Sequence, residues 1–211
     1  MRTRSVVSWI ISLTMIGAGL ALVGVFFLEQ TSGSTAASTG DPGGFNVPKL
    51  GNAQAPESTT AADKGPEDKT LTVTIPEMRR IEDDTIPDAA GTDRQALRRN
   101  AAIHLKGTGF PWQEEANVYL AGHRLGYPGT DSFLTFYDQE KLEKGDKIFV
   151  TDSEGKEYTY RVFKEFVVKP TDVSVTKPVE GKNILTLQTC TLPNYTERVI
   201  TQAELVKVEQ A

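Results

Sequence analysis

Twenty-three consecutive residues, Val6 to Leu28, carry no charge, and no other stretch limits the folding choices of the chain more. As a helix the run would reach roughly 35 Å, enough to cross a bilayer. Arg2 and Arg4 precede it and Glu29 follows. That asymmetry predicts a cytoplasmic N-terminus, with everything after Leu28 outside. The alternative is a cleaved signal peptide, with Ser34-Thr35-Ala36 as the cleavage site. The run exceeds the usual length of a signal-peptide core, so an uncleaved signal-anchor is the expectation for residues 1–29.

The next segment, residues 30–70, is of different material. Of the 40 residues Thr31 to Thr70, 26 are Gly, Ser, Thr, Ala or Pro. Such a stretch buries too little apolar surface to offset its ordering entropy, so a flexible tether is expected. Residues 71–211 remain, the size of one domain with one core.

Within that domain Pro and Gly recur about every ten residues, between short β-like runs. Leu71-Thr72-Val73-Thr74-Ile75 alternates and stops at Pro76. Ala102 to Leu105, Asn117 to Ala121, Asp146 to Thr151, Glu157 to Val168, Asn183 to Cys190 and Arg198 to Val206 read as further strands. Asp152-Ser153-Glu154-Gly155 is a hairpin turn between two of them. Asp93 to Asn100 reads as a short helix with Thr92 at its N-cap. Ser132 to Lys144 reads as a short helix or turn. Seven or eight short strands with two short helices predict a mainly β fold, a closed or nearly closed barrel.

Charge and composition narrow the function. The net charge is −5, which argues against nucleic acid as a partner, because phosphate binding needs a concentrated basic surface. One Cys excludes an intramolecular disulfide, and two His nearly exclude a multi-His metal site. The acidic clusters Glu82-Asp83-Asp84 and Glu114-Glu115 read as solvated surface, so no metal and no cofactor are expected.

The lone thiol, Cys190, ends a predicted strand. It is either a buried small side chain or a nucleophile. His123 follows another strand, where it is either a turn residue or a base that would accept the thiol proton and later protonate a leaving amine. His104 lies inside a strand between Ile103 and Leu105 and reads as a face or edge residue rather than a ligand or base. Arg198 opens the strand after Cys190. It is either an ordinary surface cation or a group that lowers the thiol pKa and holds an oxyanion.

The strings LAGHR, LEKGDKIFV and LTLQTCTLPNYTER, in this order, resemble the sortases, membrane-anchored cysteine transpeptidases of Gram-positive cell surfaces. TLQTC looks like the sortase TLxTC motif, with Cys190 as nucleophile. Gly122-His123-Arg124 looks like the motif holding the sortase histidine, and Arg198 matches the arginine of the triad. The nearby Tyr127 makes the class E sortases of actinobacteria the most similar class. The resemblance implies an eight-stranded sortase β-barrel and no cofactor. It implies cleavage of an LPxTG- or LAxTG-like sorting signal between Thr and Gly, through a Cys190 thioester. The partners implied are surface proteins bearing such a signal, and a peptidoglycan precursor or pilin lysine amine. Thr189, Thr191 and Tyr127 are implied near the substrate or oxyanion. Two rival readings are a non-catalytic extracellular β-barrel binding module and a papain-like hydrolase. In the latter Cys precedes His, the reverse of the order here.

Overall fold

The computed structural model describes residues 47–48 and 65–210. The apolar run Val6 to Leu28 and most of the expected tether lie outside them. Among the described residues no helix is long and apolar enough to cross a membrane.

Nine strands form one sheet: β1 (Leu71–Thr74), β2 (Asp84–Ile86), β3 (Asp88–Ala89), β4 (Ile103–Leu105), β5 (Asn117–Ala121), β6 (Lys147–Asp152), β7 (Lys156–Val168), β8 (Ile184–Cys190) and β9 (Arg198–Gln210). Their spatial order is β2-β1-β6-β7-β9-β8-β5-β4-β3, a nearly closed barrel. β5 pairs with β8 in parallel and β3 with β4 in parallel, while the other pairs are antiparallel. The expected strands are all present. β2 and β3 add to them; both are short and begin at an aspartate, so neither shows an apolar alternation. Asp84, read as solvated surface, is half-buried on β2, and burial raises its carboxyl pKa.

Among the described residues one α-helix, α1 (Arg94–Arg99), is capped by Asp93, not by Thr92. The Asp93 carboxylate accepts from the Gln95 and Ala96 amides at 3.0 and 2.9 Å, two of the donors a helix start leaves unpaired. The segment Ser132 to Lys144 is mostly turns, with a single 3-10 turn at Gln139–Lys141.

β5 and β8 are buried along their whole length. One face meets the barrel interior, where Val118, Leu120, Leu185 and Leu187 pack with Val73, Ile148, Tyr160 and Ala203. The other face carries Tyr119, Ala121 and Cys190 and is covered by a second cluster with Leu97, Leu105, Val175 and Ile200. Burial on both faces is the usual state of parallel strands. It also corrects the reading of His104 as a face or edge residue: all three residues of β4 are buried. His104 Nδ1 lies 2.8 Å from Asp88 Oδ1 and Nε2 lies 2.9 Å from the Gly109 carbonyl, so this histidine ties β3 and the following turn to β4.

Parts of the expected tether belong to the domain. Val47 is buried in the second cluster. Lys69 Nζ sits 4.8 Å from the Trp112 ring centroid and donates to the Pro66 carbonyl at 2.6 Å. Ser153 Oγ donates to the Asp68 carbonyl at 2.8 Å.

Candidate active site

The site is a product of strand register. In the antiparallel β8–β9 ladder Cys190 stands directly opposite Arg198. Residues opposed in this way project from the same face of the sheet, with Cβ atoms about 4.5–5.5 Å apart. In the parallel β5–β8 ladder each residue faces the one 67 positions later, from Asn117 with Ile184 to Ala121 with Gln188. His123 and Cys190 share that offset just beyond the last pair. The chain keeps close there: the Gly122 amide donates to the Gln188 carbonyl at 3.1 Å, and Thr189 Oγ1 donates to the Gly122 carbonyl at 2.9 Å. The ladder thus brings the ends of all three strands together, with Cys190 in the middle.

Each member is deeply buried: His123 and Cys190 are 2% exposed and Arg198 is 1% exposed. Arg198 Nη1 donates to the carbonyls of Tyr195 and Glu197 at 3.1 and 2.9 Å, bracing the loop between β8 and β9. Its charge also reaches Tyr119, whose phenol burial pushes well above the ordinary value and Arg198 pulls back in part.

Tyr127 meets the His123 ring edge-on at 5.5 Å between centroids, and the Arg98 guanidinium of α1 lies 4.9 Å from the Tyr127 centroid. Thr191 closes the loop after Cys190: its amide donates to the Glu197 carbonyl at 3.1 Å, and its hydroxyl accepts from the Glu197 amide at 3.2 Å. Thr189 is fully buried, one residue out of phase with Cys190, and its hydroxyl is held by Gly122. It ties the β8 end to the turn before His123.

Two groups escaped the sequence reading. Arg124 is 6% exposed; its Nη2 donates to Glu140 Oε2 at 2.6 Å and its Nη1 to the Cys190 carbonyl at 3.5 Å. Gln139 is fully buried and donates to the Val199 carbonyl and Thr201 Oγ1 at 3.2 and 3.1 Å. Only the adjacency of Arg124 to His123 could have signalled the first. Among the described residues no group of three or more His, Cys, Asp or Glu is placed to hold a metal ion.

Residues 73–206 match the sortase domain. The chain belongs to the sortase family. It is 42% identical over 92 residues to sortase A of Streptococcus agalactiae, covering 43% of this chain and 36% of that protein. Over 97 residues it is 36% identical to sortase A of Listeria monocytogenes, covering 46% and 41%. The chain thus spans less than half the length of these curated relatives. Among solved structures, sortase A from Corynebacterium diphtheriae superposes with a TM-score of 0.57 at 25% identity, covering 67% of this chain and 62% of that one. Sortase C2 of the group B Streptococcus pilus island 1 gives a TM-score of 0.57 at 29% identity, covering 67% and 76%. The sortase fold expected from the sequence is the fold observed, with nine strands where eight were expected.

Proposed function

We propose that this sortase is a cysteine transpeptidase with Cys190 as nucleophile, His123 as acid and base, and Arg198 as oxyanion and substrate-backbone ligand. The observation that carries the reading is the shared register: Cys190 opposes Arg198 across β8–β9, and the offset of the β5–β8 ladder runs on to His123.

The Cys190 thiolate attacks the carbonyl carbon of a Thr–Gly bond, and the carbonyl π electrons become an oxyanion beside the Arg198 guanidinium. Collapse breaks the C–N bond. The departing glycine amine takes a proton from the His123 imidazolium, leaving a thioester on Sγ. A second amine then attacks the thioester, neutral His123 accepts its proton, and the thiolate leaves as the new amide forms. A cation, an imidazole and a thiol suffice, so no carboxylate is required in the set.

The substrate is a surface protein with an LPxTG-like sorting signal, or LAxTG if the class E likeness of Gly122-His123-Arg124 and Tyr127 holds. The amine comes from a peptidoglycan precursor or a pilin lysine. The apolar run Val6 to Leu28 anchors the chain, with the domain on the outer surface. Peptides bearing either motif, incubated with and without an added amine and followed by mass spectrometry, test the reading. Wild type should join peptide to amine and Cys190→Ala should not. A Cys190→Ala protein that still joins them overturns the mechanism, and a wild type that only hydrolyses favours a hydrolase.

A further inference from the structure

The Arg124–Glu140 pair touches the nucleophile through the backbone, and nothing in the reaction above uses it. Arg124 is almost fully buried directly after His123. Its three nitrogens are unequally satisfied: Nη2 binds Glu140, Nη1 reaches the Cys190 carbonyl, and buried Nε has no hydrogen-bond partner among the described residues. Its ion-pair partner among the described residues is a carboxylate whose side chain is 48% exposed, so solvent weakens its compensation of the buried cation. Arg124 holds the Glu140 carboxyl below its usual range, chiefly through their hydrogen bond. Nearby Glu165 is raised by burial and feels both members of the pair.

Such a guanidinium does two things to Cys190. It reaches the carbonyl of the residue that carries the thiol at 3.5 Å, at the point where the β5–β8 ladder ends. It also places a buried positive charge against the backbone of the residue that carries the thiol, and a cation at that range favours thiolate over thiol. Among the described residues the titratable and charged groups around Cys190 include His123, Arg124 and Tyr119 from β5 and its end, Arg198 from β9, Tyr195 from the loop between β8 and β9, and Glu140 behind Arg124.

We propose that Arg124 is a positioning residue for Cys190, that its field with Arg198 favours the thiolate, and that Glu140 tempers that field. The inference rests on the transpeptidase reading for its meaning, though not for its test.

Because Cys190 is the only cysteine, selectively carbon-labelled cysteine gives one Cβ resonance, whose pH titration reports the thiol midpoint even in a buried position. Arg124→Gln should move that midpoint up by about one pH unit, the scale of losing one nearby opposite charge. Arg124→Lys, which keeps the charge, should stay close to wild type. Glu140→Gln should move the midpoint down. A merely structural pair would shift both neutralising variants the same way or not at all, and either result overturns the proposal. If Arg124→Gln fails to fold, the half-exposed Glu140→Gln decides alone: a fall supports the proposal, and no change or a rise overturns it. No substrate is needed, so an absence of transfer by wild type would sink the transpeptidase reading and leave this comparison standing.

Discussion

Gly122 has no room for a side chain. A Cβ there would lie 2.2 Å from Phe136 Cδ2 and 3.0 Å from the Ala101 carbonyl, while the Gly122 amide and carbonyl are both bound to β8. Gly122→Ala must therefore displace the Phe136 ring or the peptide that leads into His123. A loss of about 1–3 kcal/mol is expected, the scale of overpacking a core. Peptide transfer should fall further than the lost folded fraction explains. Denaturant melts beside a transfer assay check this, and an unchanged melt would mean that Phe136 yields freely. Arg198 makes a different demand. Its Nη1 holds two loop carbonyls and the residue stands opposite Cys190, so Arg198→Ala should lower transfer by about 10²–10³-fold, as for one oxyanion donor. Arg198→Lys should restore only part of this, since an ammonium lacks the planar fork. Full rescue by lysine would show that charge alone matters.

At the scale of elements, β7 carries Tyr160, fully enclosed in the barrel, and burial holds its phenol well above the ordinary value. A raised phenol pKa means that the folded state binds the proton more tightly than the unfolded chain. This contribution is complete below the unfolded pKa, about 10, and is lost as pH rises beyond it. Unfolding free energy should therefore decline above that pH, and Tyr160→Phe should flatten the decline. Urea melts across the alkaline range measure both, and an equally steep fall in the variant would assign the effect elsewhere. Strands with apolar alternation, such as β1, were legible in the sequence, because a half-buried strand writes its burial into every second residue. β4 was harder. Ile103, His104 and Leu105 are all buried, so alternation, which makes His104 a face or edge residue, misreads a strand covered on both sides. β2 and β3 are held by pairing with β1 and β4 rather than by their own composition. Cys190, His123 and Arg198 could be picked out by motif and residue type. The contacts of Arg124 with the Cys190 carbonyl and of Gln139 with the Val199 carbonyl could not, because they join positions 66 and 60 apart through single side chains.

Across the whole molecule, the domain begins before its first strand. Trp112 stacks on Phe110 at 4.6 Å, Lys69 lies over both rings, and a Cβ on Gly65 would collide with the Trp112 indole. A flexible tether over residues 30–70 would contribute nothing to the fold. The contacts instead predict that a protein starting at residue 71 melts roughly 3–5 °C below one starting at 65, on the order of 1 kcal/mol for a cation–aromatic contact and its packing. Calorimetry of the two proteins decides, and equal melting temperatures would make the segment 65–70 dispensable. The constant offset between β5 and β8 has an engineering consequence. Sliding either strand by one position would turn its side chains to the opposite face, so β5 and β8 tolerate no insertion. The 62 residues between them, 122–183, lie outside the ladder. Apart from the segment from His123 to Glu140, the strands β6 and β7 and the turn at Val175 that packs beside β5, that interval is open to loop exchange between relatives. New recognition surfaces could be grafted there without re-aiming the thiol.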